Sequence, residues 1–370
     1  MKIYLVGGAI RDQMLGLPVK ERDWVVVGGT IEDMLKLGYK QVGKEFPVFL
    51  HPKTGEEYAL ARMERKTKPG YQGFVFDTSP QVTLTEDLLR RDLTINAMAQ
   101  TAEGELIDPY HGKQDLERKI LRHVSPAFAE DPVRILRVGR LLARYAHLNF
   151  HIAPETMTLM QHMVTSGEVN ALVAERVWKE LERALGEKNP EKFFEVLAEC
   201  GALTILFPDL AIDSIGMKTL VVVTQMTHHP VIRFAVLFHA VPDAKKSILS
   251  FTKTYRIPND YKELASLTAL NYEKALHAQT LSADELLKLL SSLDIFRRET
   301  RFKQFLIACQ AIAQTHAIPF DSTWLMTSAQ IAKSVDVQTL IAQGFYDLQL
   351  ATKLKEERSK KIAEWLNDLL

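Results

Sequence analysis

The chain has 370 residues, 46% of them hydrophobic and 25% charged, and its 46 basic and 46 acidic residues balance to a formal net charge of zero. That length leaves room for two or three domains with proper cores, and the proportions are those of a soluble globular protein. A neutral balance excludes recognition of nucleic acid by global charge, so such a partner would need local basic patches. No apolar run approaches the roughly 20 residues that span a bilayer, and the N-terminus enters a strand with no signal-peptide pattern. The only cysteines, Cys200 and Cys309, lack metal-type spacing, as fits a reducing, cytoplasmic setting.

In chain order, Ile3-Tyr4-Leu5-Val6 reads as a short buried strand, followed by Gly7-Gly8 and a helical run carrying Arg11 and Asp12. After a turn at Gly16-Leu17-Pro18, Glu21-Arg22-Asp23 runs into a second strand over 23–27. Residues 31–37 have helical periodicity and stop at Gly38. Further strands are expected over 47–50 and 57–62, then a mobile polar loop over Glu64–Gly73. A helix should start near Thr85, with Thr85-Glu86-Asp87 as cap and first-turn acids. Beyond about residue 125 the pattern is almost entirely amphipathic helix, over 129–146, 154–166, 174–186, 190–200, 216–226, 231–241, 282–292, 297–315 and 347–368. The fold class is therefore α+β, a small α/β head followed by a long helical remainder, with no solenoid repeat.

Four patterns carry chemistry. In a strand, Glu21 and Asp23 present both carboxylates to one face, while paired glycines ahead of a helix let backbone approach phosphate oxygens. Together within 17 residues they point to Mg²⁺ and a nucleoside triphosphate, which Arg11 could clamp. The second pattern is Arg90-Arg91-Asp92-Leu93-Thr94-Ile95-Asn96, where Asp92 and Asn96 are one helical turn apart, for a polar network or a ribose contact. The third is a helical stripe of Asp131, Arg134, Arg137 and Arg140, which can meet base edges and phosphates or form a salt-bridged surface. The fourth, Glu175-Arg176-Val177-Trp178-Lys179-Glu180, reads as a brace between helices.

These segments resemble the bacterial class II tRNA nucleotidyltransferases, the CCA-adding enzymes, and their relatives the bacterial poly(A) polymerases. The similarity runs nearly continuously from Met1 to about Phe207, through Lys2–Gly8, Glu21–Gly28, Arg90–Ala97, Ile107–Tyr110 and Glu130–Arg134. It implies a palm-type nucleotidyltransferase head over 1–124, a neck over 125–207 with a nucleotide-templating helix, and a tRNA-binding body and tail over 208–370. It implies that Gly8, Arg11, Arg91, Arg137 and Arg140 bind ATP or CTP, that Glu21 and Asp23 ligate Mg²⁺, and that Asp131 and Arg134 read the base. Asp108-Pro109 and Gly112 match a hinge between head and neck. The implied activity is addition of C, C and A to the tRNA 3′ end. A poly(A) polymerase and a non-enzymatic tRNA-binding protein are the alternatives, and monomer and dimer are both left open.

Two departures stand out. Many members of the family have an aspartate where this chain has Glu21, which lengthens the metal reach by about one C–C bond, of order 1.5 Å. Longer relatives carry a His-Asp phosphohydrolase domain, but here His239 is followed by Ala240, and His228, His229, His277 and His316 do not restore the metal pattern. Purified protein should therefore show no nickel- or cobalt-dependent hydrolysis of phosphate monoesters or cyclic nucleotides, and metal-stimulated release of phosphate would contradict this.

Overall fold

In the computed structural model the described residues are 1–42, 47–66 and 74–369. The chain forms two compact units, Met1–Ala184 with Lys192–Leu206, and Leu185–Glu191 with Phe207–Leu370. The first unit thus takes in the residues expected as head and those expected as neck, apart from Leu185–Glu191 and Phe207.

Its centre is a mixed seven-stranded sheet in the order β3-β4-β5-β2-β1-β8-β9. The strands are β1 (Lys2–Val6), β2 (Asp23–Val27), β3 (Lys40–Gln41), β4 (Val48–Leu50), β5 (Glu57–Leu60), β8 (Ala99–Gln100) and β9 (Leu106–Ile107). β1 and β2 run antiparallel with Val6 opposite Asp23, and β2 and β5 run parallel with Asp23 beside Glu57. The run Trp24-Val25-Val26-Val27 is apolar without alternation because both faces of the sheet are covered. Val25 packs with Val6, Ala61, Val82, Leu88, Ala97 and Ala99 on one face. Val26 packs with Met34, Phe49, Tyr58 and Leu60 on the other. β6 (Met63–Lys66) and β7 (Phe74–Asp77) form a separate antiparallel pair. The segment expected as a loop from Glu64 therefore begins in a strand, and its residues 67–73 lie outside the described residues.

Helices flank the sheet: α1 (Gly8–Met14), α2 (Ile31–Lys36), α3 (Leu84–Leu89) and α4 (Gly112–Glu117). The cap of α3 is Thr83 rather than Thr85, in a capping box with Glu86. Asp87 is in the first turn as expected, and it is fully buried. Arg90 to Asn96 is not the helix its charges suggested; α3 stops at Leu89 and Thr94–Asn96 is a 3₁₀ turn. α5 (Val133–Tyr145) starts four residues later than expected, because Pro132 lacks an N–H and holds Asp131 extended at φ −127° and ψ 103°. A short parallel pair, β10 (Ile120–Leu121) with β11 (His151–Ile152), precedes α6 (Pro154–Thr165), α7 (Ala174–Leu185), α8 (Glu191–Glu199) and α9 (Ala202–Leu206).

The stretch expected as a hinge is a capped, close-packed turn. The Asp108 carboxylate accepts from the backbone N–H groups of Gly112 (2.7 Å) and Lys113 (2.9 Å). A Cβ on Gly112 would lie 2.2 Å from the Thr94 carbonyl oxygen.

The second unit is helical throughout its described residues: α10 (Ile215–Thr224), α11 (Pro230–Leu237), α12 (Ala244–Thr254), α13 (Asn259–Leu276), α14 (Ala283–Ser292), α15 (Glu299–Thr315), α16 (Ser322–Lys333), α17 (Val337–Ala342) and α18 (Asp347–Asn367). α12, α13, α16 and α17 were not expected. Serine and threonine interrupt the apolar pattern of α12 and α16, but their hydroxyls bond back one turn, Thr252 to the Ile248 carbonyl and Ser328 to that of Trp324, both at 2.7 Å. Arg233 is wholly buried and donates to the carbonyls of Leu185, Glu187, Thr224 and Thr227. His239 is buried with Nδ1 2.7 Å from the Val236 carbonyl, and among the described residues no three His, Cys, Asp or Glu side chains are placed to hold a metal. Several cations of this unit have protein partners: Arg298 pairs with Glu263, Arg358 lies over the Phe296 ring, and Lys361 donates to Ser334. Among the described residues no helix is long and apolar enough to cross a membrane.

Gly112→Ala should cost about 3 kcal/mol, since the wall it meets is backbone. Gly38→Ala, at φ +83° with nothing within 4 Å, should cost only about 1 kcal/mol. Chemical denaturation of the two variants measures the difference.

Candidate active site

β1 ends at Val6, and Gly7 turns the chain out of the sheet at φ +73°, a region that side chains with a Cβ rarely enter. Its N–H is tied to the Met98 carbonyl at 3.2 Å. Two guanidinium groups crowd this turn. Arg91 Nη1 lies 3.0 Å from where a Cβ of Gly7 would sit, and Arg11 Nη2 lies 3.2 Å from the equivalent point on Gly8. Glycine at both positions leaves the turn open between two cations, as an anion would require.

Asp23 stands opposite Val6 and so lies at the strand end from which this turn departs. It shares the sheet face of Val25, while Trp24 and Val26 point to the other. Glu21 is not in the strand: β2 starts at Asp23, because the strand it pairs with stops at Val6. The two carboxylates nevertheless interact. Loss of water around the Asp23 carboxyl raises it above its ordinary value, Arg91 opposes this, Glu21 adds to the rise and Arg137 again opposes it. Asp23 therefore has the second acid and two of the expected cations as electrostatic neighbours.

Behind the acids lies a relay of buried polar groups. Asp92 accepts from Leu93 N–H (2.8 Å), Asn96 Nδ2 (3.0 Å) and Arg137 Nε (2.7 Å). Burial alone would raise the Asp92 carboxyl, but Arg137 and the Asn96 amide hold it well below the usual range. Asn96 Oδ1 accepts from Arg11 Nη1 at 2.5 Å, and Arg11 in turn donates through Nε to Asp12 at 3.0 Å. Asp12 is closed off by the Tyr145 hydroxyl (2.6 Å) and Arg144 Nη2 (2.9 Å). Arg91 is steadied separately by the buried carboxylate of Asp87 at 3.2 Å, which also takes Arg90.

The predicted template residues sit at the start of α5. Asp131 is not on the helix with the arginines. Its carboxylate accepts a two-pronged bond from Arg176 of α7, at 3.0 and 2.7 Å, and caps the Val133 N–H at 3.2 Å. Arg134 donates to the carbonyls of Ala127 (3.1 Å) and Arg90 (2.6 Å). Arg140, expected at the nucleotide, is only 9% exposed, and its Nε bonds Glu180 of α7 at 2.6 Å. The structure thus gives Arg140 a bracing contact between α5 and α7. The reading of 174–181 as a brace describes both Arg176 and Glu180.

Asp12, Arg144 and Tyr145 had no role in the sequence reading, and Asp87 was read only as a first-turn acid. Their signal was faint but physical. Asp12 and Asp87 are acids among apolar helix positions, where an unpaired charge would be costly. Glu57 is the parallel neighbour of Asp23 on the same face, yet among the described residues no three carboxylates cluster. Two hard oxygen donors open to triphosphate oxygens suit Mg²⁺, which keeps few protein ligands. Glu21 and Asp23 fit that requirement.

The strand-turn-helix with its neighbouring acids and arginines lies within the segment that comparison with known proteins identifies as a nucleotidyltransferase head. Residues 3–122 match the family described as the poly A polymerase head domain, and residues 149–213 match one described as a probable RNA and SrmB-binding site of polymerase A. A CCA-adding enzyme of Coxiella burnetii is 51% identical over 98% of this chain and 95% of its own. A multifunctional CCA protein of Thioalkalivibrio sulfidiphilus is 54% identical over 84% of each. A CCA-adding enzyme solved with ATP shares the fold at a TM-score of 0.73 and 22% identity, over 98% of this chain and 86% of that one. The chain belongs to the bacterial CCA-adding enzyme family, of the gamma-proteobacterial type.

Asp92→Asn should lower unfolding stability by about 2 kcal/mol, because it strips Arg137 of its partner in a half-open position. The folded carboxyl is depressed below its ordinary 3.8. Its contribution is then full at neutral pH and fades only as pH falls below that value. Denaturation of both proteins should give a constant gap from neutral to mildly acidic pH, narrowing only in stronger acid.

Proposed function

We propose that the protein adds C, C and A in steps to the 3′ end of tRNA from CTP and ATP, releasing pyrophosphate at each step. The observation that carries this reading is the placement of Asp23 opposite Val6, beside the Gly7-Gly8 turn and next to Glu21 and Arg91. The names of the relatives at about 50% identity supply the substrate. In the reaction the tRNA 3′-oxygen bonds to the α-phosphorus, the bond from that phosphorus to the pyrophosphate oxygen breaks, and the hydroxyl proton passes to water. Glu21 and Asp23 would hold Mg²⁺, which when bound lowers the pKa of the attacking hydroxyl and offsets charge on the triphosphate.

The chain's own groups do the positioning. Gly8 admits the triphosphate to the turn, and Arg11 and Arg91 offer donors to its oxygens from either side. Arg137, an electrostatic neighbour of Asp23, adds positive charge on that side, and Arg140 braces its helix α5 against α7. Asp131 and Arg134 read the Watson–Crick edge of the incoming base. Both are held by other parts of the protein, so a base that fails to match leaves their donors and acceptors unmet. A reducing cytoplasmic compartment suits the two buried free cysteines.

The alternative is a poly(A) polymerase built on the same head. It is separated by incubating tRNA that ends before CCA with each nucleotide. With CTP alone, a CCA-adding enzyme extends by two residues and stops, whereas a poly(A) polymerase uses ATP without limit. Asp23→Ala should abolish all three additions in Mg²⁺; retained turnover would remove Asp23 from metal binding. Arg134→Ala should relax the CTP-against-ATP preference roughly tenfold or more in a competition assay, with a smaller effect on triphosphate affinity. Unchanged discrimination would defeat the template role.

A further inference from the structure

We infer that Asp12 and Tyr145 are positioning residues for Arg11, fixing the guanidinium that grips the triphosphate at Gly8. This rests on the functional reading above, and it adds residues that the reading does not use. Arg11 is 5% exposed, and its guanidinium is fixed on three sides. Nε and Nη2 meet Asp12 Oδ1 at 3.0 and 2.9 Å, Nη1 meets Asn96 Oδ1 at 2.5 Å, and the plane lies 5.2 Å from the Tyr145 ring centroid. A guanidinium has five N–H bonds. Three are matched by these contacts, which leaves one on each Nη, and Nη2 is the atom beside Gly8.

Asp12 does not contact the turn itself. It lies behind Arg11, and its carboxylate is oriented by two groups from the end of α5, the Tyr145 hydroxyl on Oδ1 at 2.6 Å and Arg144 on Oδ2 at 2.9 Å. Burial keeps the Tyr145 phenol protonated, so it remains the donor. Without that hydroxyl, Oδ1 keeps only Arg11, and the carboxylate is free to rotate towards Arg144. The remaining Arg11 donors would then swing away from Gly8. Asp12 and Tyr145 thereby act on nucleotide affinity through a residue that neither of them replaces.

Tyr145→Phe keeps the ring and its packing and removes only the hydroxyl. Extension of tRNA ending in CC is measured against ATP concentration, with equilibrium dialysis of labelled ATP in Mg²⁺ as a direct affinity readout. The expected result is a KM and Kd for ATP raised about fivefold with kcat within about twofold, and a similar shift for CTP on tRNA lacking all three residues. Asp12→Asn should show the same split. Arg11→Ala should weaken ATP at least as much, and adding Tyr145→Phe to it should change nothing further. An unshifted KM and Kd in Tyr145→Phe, or the same fivefold loss on top of Arg11→Ala, overturns the positioning role while leaving CCA addition intact. A wild-type protein that binds ATP but extends no tRNA would sink the functional reading instead, and the dialysis arm would still decide the Arg11 relationship.

Discussion

The first unit depends on what becomes of two buried carboxylates, Asp12 and Asp92. Taking an ion out of water costs several kcal/mol, and an isolated acid at either position would unfold or protonate. Each is instead met by charge-assisted donors, so that a single run of contacts passes from Arg144 and Tyr145 through Asp12, Arg11, Asn96 and Asp92 to Arg137. Both ends of that run are on α5, about two turns apart. Helix α5, which carries Arg134, is therefore closed onto the Gly7-Gly8 turn, and a displacement of either end would strand a charge.

The residues proposed to face the base are arranged by the same logic. Arg134 is held by two carbonyls and Asp131 by a forked bond to Arg176. Groups fixed before the ligand arrives lose little freedom on binding, and fixed donors discriminate more sharply than mobile ones. A protein that selects nucleotides without a nucleic-acid template needs such rigidity more than it needs a deep pocket.

Much of this was legible in the chain. The strands over 3–6, 23–27, 47–50 and 57–62 are within a residue or two of their observed limits because short apolar runs bounded by glycine and proline leave little choice. The Gly-Gly turn and the nearness of Glu21 to Asp23 could be read because they are local in sequence, although Glu21 lies outside the strand. Partners distant in sequence could not: Arg11 to Asn96, Asp12 to Tyr145 and Asp131 to Arg176 are separated by 85, 133 and 45 residues. Charged residues that looked like helix faces, Arg91 and Arg140 among them, turned out to have buried acids as partners, which spacing alone cannot reveal. The helical stripe failed at Asp131 for a different reason, since Pro132 ends the pattern that residue counting continues.

Arg233 in the second unit solves the burial of a charge by another route. Apart from His228, the groups it is seen to donate to among the described residues are main-chain carbonyls, with Glu191 and Glu187 as electrostatic neighbours. Amide oxygens do not take up protons in any biological range, so this anchorage is largely indifferent to acidity. Arg11 and Arg137 in the first unit lean instead on aspartates, Asp12 and Asp92, so the two units hold their buried guanidinium groups by different chemistry.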